Sequence, residues 1–414
     1  NSSAASDVYK RQNKDSMKYF QNILCAFVSS ILLACADHEQ KPLLEVIDTS
    51  LHQASVSAKA MGKELMGNDR LPRTIDKEGK LVTSDYEWWC SGFYPGVLWY
   101  LYENSKDTVL LQYAREYTAR LEKVQYITTN HDVGFMLYCS YGNGLRITGD
   151  NSYKSVLLNG AKSLSTRYKQ NIGLIRSWDF NKERWQYPVI IDNMMNLELL
   201  TWASRETDSV YYKDIAINHA DKTLQNHFRD DYSCYHVVSY DTITGIPHCK
   251  ETWQGLNDES SWARGQAWAL YGYTYMFRET KDVKYLDQAI KISNYLLSHP
   301  NMPDDGIPYW DFDAEDIPNA LRDASAAAII CSALIELSDY VGLSYGKKLL
   351  SFAEKQIRTL SSKEYLAEPG TNGNFILKHS VGFYNQNSEV DVPLTYADYY
   401  YVEALMRMKK KLLN

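Results

Sequence analysis

The sequence predicts an all-α, single-domain fold: a closed (α/α)6 barrel, or toroid, of six inner and six outer helices. Three observations support this prediction. Helical hairpins repeat along the chain, twelve segments have helical periodicity, and the long connections all lead into one class of helix. The chain has 414 residues, 45% of them hydrophobic, which suffices for a core of that size. An open solenoid is the alternative, although it would need polar capping repeats at both ends.

The hairpins are recognised from five stretches that share one order of features. Each stretch has an apolar helix, a turn with Asp or Ser, an aromatic or apolar residue, and an Ala-centred helix. Tyr153, Tyr212, Tyr285 and Tyr345 occupy equivalent positions, at intervals of roughly 60 to 70 residues. Because the turn is short each time, each stretch predicts two antiparallel helices.

Six helical segments follow long loops and are rich in Ala, Trp, Leu and Tyr, with few charges. We expect them to be the buried inner helices. They begin near Phe93, Asp132, Asp192, Ser261, Asp323 and Thr395. Five segments after the short turns carry Lys and Glu on one face, and residues 43–66 supply the sixth outer helix. The last segment, TYADYYYVEALMRM, is not a polar cap, which favours the closed ring.

Long connections precede four of the inner helices. They span residues 171–191, 228–260, 299–322 and 361–394. Loops of that length usually carry function. Since all lead into the N-terminal ends of inner helices, we expect them to gather on one face. The free N–H groups and dipoles of the helices there would favour an anionic ligand.

The N-terminal residues divide into an extension, a signal and a tether. Residues 1–16 are polar and lack apolar periodicity, so they are interpreted as an extension ahead of a start at Met17. The apolar run within 17–34 is too short to span a bilayer and is typical of a signal peptide. It ends in Leu-Leu-Ala-Cys at Cys35, which resembles a bacterial lipoprotein signal. We therefore expect lipidation of Cys35, a tether over 35–42, and a barrel domain over 43–414 at the periplasmic or outer-membrane surface of a bacterium. A plain secretory signal with an incidental cysteine is the alternative.

Charge and cysteine content exclude several classes of function. The formal net charge is −7 with no basic tail or stripe, which disfavours nucleic-acid binding. The five cysteines that follow Cys35 are widely spaced and fit neither a zinc site nor a disulfide framework. One bridge, Cys234 with Cys249, is an option, with buried free thiols as the alternative. No His-Glu-x-x-His, Gly-x-Ser-x-Gly or phosphate-loop motif is present, and no metal is expected.

Each predicted inner helix begins with polar or aromatic residues out of keeping with its apolar body. Asp132, in TTNHDVGF, and Asp192, in IIDNMMN, stand at such starts. Asp is a common N-cap, and we expect Asp132 to cap its helix. For Asp323, a cap and an ion pair with Arg322 are a sufficient explanation. Other predicted inner helices begin with residues whose presence capping does not explain. These residues are Trp262, Arg264 and Tyr396.

Seven segments, distributed over nearly all of the chain after the signal, form an ordered series. They are WCSGFYPGVLWYLYE, NHDVGF, IIDNMMNLELLTWAS, SWARGQAWALYGY, PYWDFDA, RDASAAAI and KHSVGFYNQNSEVDVPLTYADYYYVEAL. In composition and order the series resembles the unsaturated glucuronyl hydrolases, glycoside hydrolase family 88. The resemblance implies an (α/α)6 barrel, in agreement with the helix count.

The resemblance also implies a reaction. Such enzymes remove a 4,5-unsaturated uronic acid from the non-reducing end of lyase-generated oligosaccharides, without a metal or organic cofactor. Water is added across C4=C5, and the unstable hemiketal opens and releases the remaining sugar. Because protonation at C4 leaves positive charge on C5 and the ring oxygen, the chemistry needs a carboxyl that gives a proton and activates water. By match to the family, Asp192 is that group and Asp132 is its partner carboxylate.

The match implies substrate-binding roles for further residues. Arg264 could form a bidentate pair with the uronate carboxylate. His236, in a predicted hairpin over the pocket, could bind the anion or a hydroxyl, and Gln254 is a hydrogen-bonding candidate. Stacking walls could come from Trp89, Trp178, Trp262 and Trp268, although core positions explain each tryptophan about equally well. We expect an ionised Asp132 and burial to raise the pKa of Asp192, against the helix dipole.

Three other functions remain to be weighed. An unsaturated rhamnogalacturonyl hydrolase acting on pectin fragments would share the fold and chemistry. A non-catalytic glycan-binding surface lipoprotein would predict a decayed carboxylate pair, yet both aspartates are present. A sugar epimerase would need paired catalytic histidines. Among substrates, glycosaminoglycan fragments are favoured over algal ulvan fragments, and the sequence indicates neither the linkage nor the oligomeric state.

Overall fold

Inner and outer helices alternate along the chain in the computed structural model, which describes residues 40–414. The inner helices, first to sixth, are Phe93–Ser105, Val133–Leu137 with its continuation to residue 148, Asn193–Thr207, Ala263–Thr280, Ala324–Leu337 and Thr395–Leu413. The outer helices, first to sixth, are Leu43–Glu64, Thr108–Ala119, Ser152–Ser165, Val210–Asn226, Val283–Ser298 and Leu343–Leu360. The predicted order and starts of all six inner helices are therefore confirmed.

The second inner helix is not regular. After Val133–Leu137 it passes through a π-helical turn, Tyr138–Gly142, before Asn143–Thr148 resumes the α-helix. The wider turn releases backbone carbonyl groups from their usual partners, and the Ser140 hydroxyl donates to the Met136 carbonyl there.

The six inner helices form a closed ring. Each inner helix contacts its two neighbours, and the sixth contacts both the fifth and the first. The first outer helix packs against the first and sixth inner helices, so the beginning and end of the barrel meet. Lys409 Nζ lies 2.7 Å from Asp48 Oδ1 across this contact. The closed toroid is confirmed, and the open solenoid is excluded.

Burial differs between the two rings as the sequence patterns predict. In the fifth inner helix every residue except Glu336 is buried, because its Ala-rich sequence packs on all sides. The sixth outer helix instead buries one stripe. That stripe is Gly346, Leu349, Ala353, Gln356, Ile357 and Leu360.

Small antiparallel sheets occupy the connections that precede inner helices. Two-stranded sheets are formed by β1 (Leu71–Ile75) with β2 (Leu81–Ser84), β3 (Tyr168–Lys169) with β4 (Leu174–Ile175), and β8 (Ser380–Phe383) with β9 (Ser388–Val392). A three-stranded sheet has the order β5 (Pro188–Ile190), β6 (Val237–Tyr240), β7 (Pro247–Glu251). Pro188 pairs with Ser239 and Ile190 with Val237. These sheets brace the loops at the N-terminal ends of the inner helices.

The opposite end of the barrel holds a partly buried ionic network. Arg278 Nη1 lies 3.0 Å from Glu336 Oε1, and Arg407 Nη1 lies 2.8 Å from Glu336 Oε2. Arg278 also pairs with Glu198, and Arg407 Nη2 lies 3.4 Å from Glu403 Oε1. A cavity of about 420 Å³ lies among these groups. The arginine and glutamate side chains that line this cavity pair with one another.

Several sequence-based expectations concern cysteines and membranes. The five cysteines among the described residues are all free, so no Cys234–Cys249 bridge forms. None of the helices within 40–414 combines the length and apolar character needed to cross a bilayer. Cys35, the signal 17–34 and the extension 1–16 lie outside the described residues.

Candidate active site

Three inner helices begin at an aspartate, but only one of the three carboxylates caps its helix. Asp323 has extended backbone (φ −118°, ψ 94°), and its Oδ1 accepts from Ser325 N at 3.0 Å. Asp132 (φ −75°, ψ 3°) and Asp192 (φ −56°, ψ −27°) make no side-chain capping bond. A capping side chain normally needs extended backbone at its own residue. The prediction that Asp132 caps its helix is therefore wrong, and two carboxylates are left for another use.

The backbone around Asp132 is set by neighbouring amide side chains. Asn130 Oδ1 accepts from Asp132 N at 2.8 Å, which turns the chain before the helix. Asn196 Oδ1, from the third inner helix, accepts from Phe135 N at 2.7 Å. His131, which is buried, places Nε2 at 3.4 Å from Asp132 Oδ1. Asp132 thus stands where two inner helices and a polar turn meet.

Strand pairing places His236 beside Asp192. Strand β5 ends two residues before Asp192 and pairs with β6, which His236 precedes directly. Ile191 N donates to His236 O at 3.0 Å, and His236 Nε2 lies 3.8 Å from Asp192 Oδ2. His236 Nδ1 accepts from Trp253 N at 3.0 Å and Gln254 N at 3.1 Å. Because an accepting Nδ1 carries no proton, we infer that the neutral ring holds its proton on Nε2, toward Asp192.

Burial raises the pKa of both candidate carboxyls. It raises the pKa of Asp132 to about 7, while the Asn196 amide and the charge of Arg167 act in the opposite direction. It also raises the pKa of Asp192 to about 7, where the charge of Arg264 lowers the pKa and that of Asp132 raises it further. The sequence led us to expect an ionised Asp132 and burial to raise the pKa of Asp192, and both causes act in that direction. Burial also raises the pKa of Asp132 itself, so the two carboxyls form a coupled pair that shares its protons near neutral pH.

Arg264 is fully buried and largely occupied by protein partners. Its guanidinium donates to Asp323 Oδ2 at 3.1 Å, to Val381 O, and to Gly382 O at 2.7 Å. Its positive charge is nevertheless close enough to Asp192 to lower the pKa of that carboxyl. Arg322 pairs with Asp305 and not with Asp323, so the expected Asp323–Arg322 ion pair is wrong. Two buried arginines, Arg264 and Arg167, supply positive charge at this end of the barrel.

The four candidate tryptophans have different surroundings. Trp262 is buried, with its ring centroid 4.6 Å from that of His236, and it packs on the Arg264 guanidinium at 4.5 Å. Trp268 is entirely buried and lies close enough to Asp192 to lower the pKa of that carboxyl. A fully buried ring offers no free face to a sugar, so Trp268 is better placed to donate through Nε1.

Trp89 and Trp178 are only partly buried. The Trp89 ring lies 4.9 Å from Tyr396, and Trp178 stacks on Phe180 at 4.8 Å. Both rings keep some exposed surface, as a stacking wall requires. Gln254, in contrast, donates through Nε2 to Gly382 O at 3.2 Å and connects the loop after β7 to β8.

Among the described residues, six of the buried polar atoms without a hydrogen-bond partner in the protein belong to the candidate site and its neighbours. They are Trp178 Nε1, Asp192 Oδ2, Asn196 Nδ2, His236 Nε2, Trp268 Nε1 and Tyr396 Oη. Unpartnered atoms also occur in the outer helices, as at Thr223 and Gln288, so the six are only groups that are available to a ligand. In the part of the chain that the structure describes, no group of three His, Cys, Asp or Glu side chains could hold a metal ion.

Sequence reasoning missed His131 and Asn196 at this site. His131 stands beside Asp132 in the sequence, but a lone histidine before a helix carries no specific signal. Asn196 lies four residues after Asp192 in IIDNMMN, and that spacing puts both on one face of a helix. The spacing could have indicated Asn196, whereas its contact with the neighbouring helix could not be read from the sequence.

Comparison with known proteins relates the chain to one enzyme family. The family model for Glycosyl Hydrolase Family 88 matches residues 59–411. An unsaturated glucuronyl hydrolase from Formosa agariphila is 46% identical over 351 residues, which cover 84% of this chain and 87% of that protein.

Two solved structures extend the comparison. The crystal structure of an unsaturated glucuronyl hydrolase specific for heparin is 48% identical, with a TM-score of 0.87, covering 89% of this chain and 98% of that one. A mutant unsaturated glucuronyl hydrolase from Streptococcus agalactiae, complexed with dGlcA-GalNAc6S, is 28% identical with a TM-score of 0.76. The matched regions cover 91% of this chain and 94% of that chain.

Proposed function

The chain belongs to glycoside hydrolase family 88, and on that premise we propose that its Asp132–Asp192 pair hydrates the C4=C5 bond of a terminal unsaturated uronic acid. The chain is a glycosidase that removes unsaturated uronic acid from oligosaccharides. One observation carries the residue assignment: two carboxyls at helix starts, one buried and one largely buried, make no capping bond, and removal from solvent raises the pKa of both to about 7. The pectin alternative is not favoured by the relatives, and a non-catalytic binding role does not fit the family.

In the proposed reaction the pair begins with one proton, on Asp192. Asp192 transfers that proton to C4, and positive charge develops on C5 and the ring oxygen. Water attacks C5 and returns a proton to the Asp192 carboxylate, so the carboxyl is regenerated. The resulting hemiketal opens and releases the remaining sugar. When Asp192 carries the proton of the pair and Asp132 is ionised, Asp132 stabilises the developing positive charge and can accept from a sugar hydroxyl.

The surrounding groups support recognition of an anionic sugar. The Nε2–H of His236 and the indole N–H of Trp268 are donors that have no partner in the protein. Arg264 provides positive charge, although only part of its guanidinium remains for a ligand. Exposed surface on Trp89 and Trp178 suits the apolar face of a sugar ring. The uronate carboxylate would therefore meet hydrogen-bond donors and a buried guanidinium in a chain of net charge −7.

For the substrate class we propose glycosaminoglycan fragments, as the relatives' names suggest. The test uses unsaturated disaccharides released by lyases from heparin, chondroitin and ulvan, and follows loss of their ultraviolet absorbance. Turnover of a glycosaminoglycan disaccharide is expected to exceed that of the ulvan product. The reverse ranking would contradict this choice while leaving the chemistry intact.

The assignment of Asp192 is tested with Asp192→Asn. We expect kcat/KM to fall by a factor of at least about 10²–10⁴, as is typical when a general acid–base group is lost. The control is Asp107→Asn, at the start of the second outer helix, where the Asp107 side chain caps Val109 N at 2.8 Å. Asn caps nearly as well as Asp, so this control should keep wild-type turnover. Wild-type turnover by Asp192→Asn would remove the residue from the mechanism.

We also propose that lipidated Cys35 anchors the enzyme at the cell envelope. The support is the Leu-Leu-Ala-Cys sequence after an apolar run. Fractionation of cells that express Cys35→Ala should find the variant released from the membrane fraction. If it remains there as the parent does, the lipid anchor is excluded.

A further inference from the structure

Asn196 reaches from the third inner helix to the start of the second. It is fully buried, and its Oδ1 accepts from Phe135 N at 2.7 Å. Phe135 is the third residue of its helix, so its N–H is one of those that an N-cap side chain normally binds. Asn196 therefore fills the capping position that Asp132 leaves open.

The close approach of the two helices depends on Gly134. A Cβ atom at this position would lie 2.5 Å from Asn196 Cα and 2.7 Å from Asn196 Oδ1. Carbon atoms do not approach that closely, so a larger residue would push the helices apart. The capping contact is thus supported from both helices.

The other end of the Asn196 amide faces the carboxylate pair. Asn196 Nδ2 is buried without a partner in the protein, and it lies close enough to Asp132 to lower the pKa of that carboxyl. The other groups that face Asp132 are His131, Arg167 and Asp192. On the far side of the pair, Asp192 faces His236, Arg264 and Trp268.

We propose that Asn196 is a positioning residue for the reaction: its oxygen caps the second inner helix in place of Asp132, and its buried amide N–H groups, which have no other partner, are left to orient the freed Asp132 carboxylate when substrate binds. The role rests on the proposed function of the pair. Because Asn196 and Asp192 share one helix, the same element carries the proton donor and orients its partner. Asn196 also favours charge on Asp132, which leaves the proton of the pair to Asp192.

The test compares Asn196→Asp with Asn196→Ala. Asp keeps an oxygen for Phe135 N but replaces the donor beside Asp132 with an acceptor that can be negatively charged. We expect Asn196→Asp to lower kcat about 10- to 100-fold, with a smaller change in KM, because the pair is displaced and its charge altered. The alkaline limb of the kcat profile should move to higher pH. Asn196→Ala should lower both kcat and the melting temperature.

Asn143→Asp is the matched control. Asn143 is a buried asparagine at the opposite end of the second inner helix, where Nδ2 donates to Tyr399 Oη at 3.0 Å. This variant should lower the melting temperature without moving the pH profile. If Asn196→Asp keeps wild-type kcat and pH profile, Asn196 is only a cap and the proposal is overturned.

Melting temperatures at several pH values separate this inference from the proposed function. Asn196→Asp would place three carboxyls close together, and they repel one another as they ionise. Its melting temperature should therefore fall more steeply than that of wild type as pH rises from about 5 to about 8. This readout needs no turnover. An unchanged pH dependence of melting would overturn the Asn196–Asp132 contact, even if Asp192→Asn behaves as proposed. Wild-type turnover by Asp192→Asn would overturn the proposed mechanism but not the Asn196–Asp132 contact.

Discussion

Asp132→Asn should make the protein more stable at alkaline pH while it lowers activity. Asp132 makes no capping bond, so Asn loses none. The carboxyl has an ordinary pKa of 3.8 in the unfolded chain and a pKa raised by burial to about 7 in the fold. Below about pH 4 both states are protonated, and the residue has no effect. Between these values only the folded state holds the proton, so stability falls as pH rises.

The size of the effect follows from the interval between the two pKa values. Each pH unit contributes about 1.4 kcal/mol, so burying the ionised form costs about 4 kcal/mol above pH 7. The side chain is 17% exposed, so solvent screens the charge only slightly. Replacing a hydrogen-bond acceptor beside Asn196 offsets part of the gain. We therefore expect Asp132→Asn to raise the free energy of unfolding by about 2–4 kcal/mol at about pH 8 and by nearly nothing at about pH 4.

Urea unfolding at several pH values measures this difference, with Asp323→Asn as the matched control. Both residues precede an inner helix, but Asp323 caps Ser325 and pairs with Arg264 in the core. Asn can still cap, but it leaves a buried guanidinium without its counter-charge, which costs about 3–5 kcal/mol. The two substitutions should thus change stability in opposite directions. A pH-independent effect of Asp132→Asn, or a loss at about pH 8, would refute the reasoning.

Three further outcomes are expected. Arg264→Lys should lower kcat/KM by about 10- to 100-fold and also lower the melting temperature. The reason is that a lysine ammonium cannot make all the hydrogen bonds of the guanidinium to Asp323, Val381 and Gly382. An unchanged kcat/KM would exclude a role of Arg264 in substrate binding. His236→Asn should keep an acceptor for the Trp253 and Gln254 N–H groups but lose the donor at Nε2. We therefore expect kcat/KM to fall at least about 10-fold with little change in melting temperature. Wild-type kinetics would mean that His236 only supports the loop. In wild type, kcat/KM should decline above about pH 7 as Asp192 loses its proton. Asp132→Asn should move this alkaline decline to lower pH, because a negative charge beside Asp192 is gone. An unchanged decline would show that Asp132 does not influence the pKa of Asp192.

The barrel was predictable because its information is local. The fifth inner helix is apolar on nearly every face and the sixth outer helix on one, and such patterns are legible without knowledge of partners. The connections were predicted less well. Short strands such as β5 have only three residues, and their pairing depends on segments about 50 residues away. The hairpin predicted to contain His236 forms as β6 and β7, with His236 directly before its first strand.

The site shows the same division. Asp132 and Asp192 were found because they stand at helix starts, a feature visible in the sequence. Whether they cap those helices depends on backbone angles and on Asn196, which belongs to a different helix from Asp132. Similarly, Arg264 was identified by its position, but its bonds to Val381 and Gly382 cross more than 100 residues of chain. Such contacts exist only once the ring has formed.

The junction between the first and last helices has a consequence for synthesis of the protein on the ribosome. The first inner helix, Phe93–Ser105, packs against Thr395–Leu413, which is translated roughly 290 residues later. Until then one apolar flank of the nascent chain has no partner, and such surfaces promote aggregation and chaperone binding. A chain that ends at Leu394 should therefore aggregate and not fold as a five-hairpin barrel. A circular permutant that begins just before Thr395 would supply that helix first, and its yield of soluble protein without added chaperones should exceed that of the natural order.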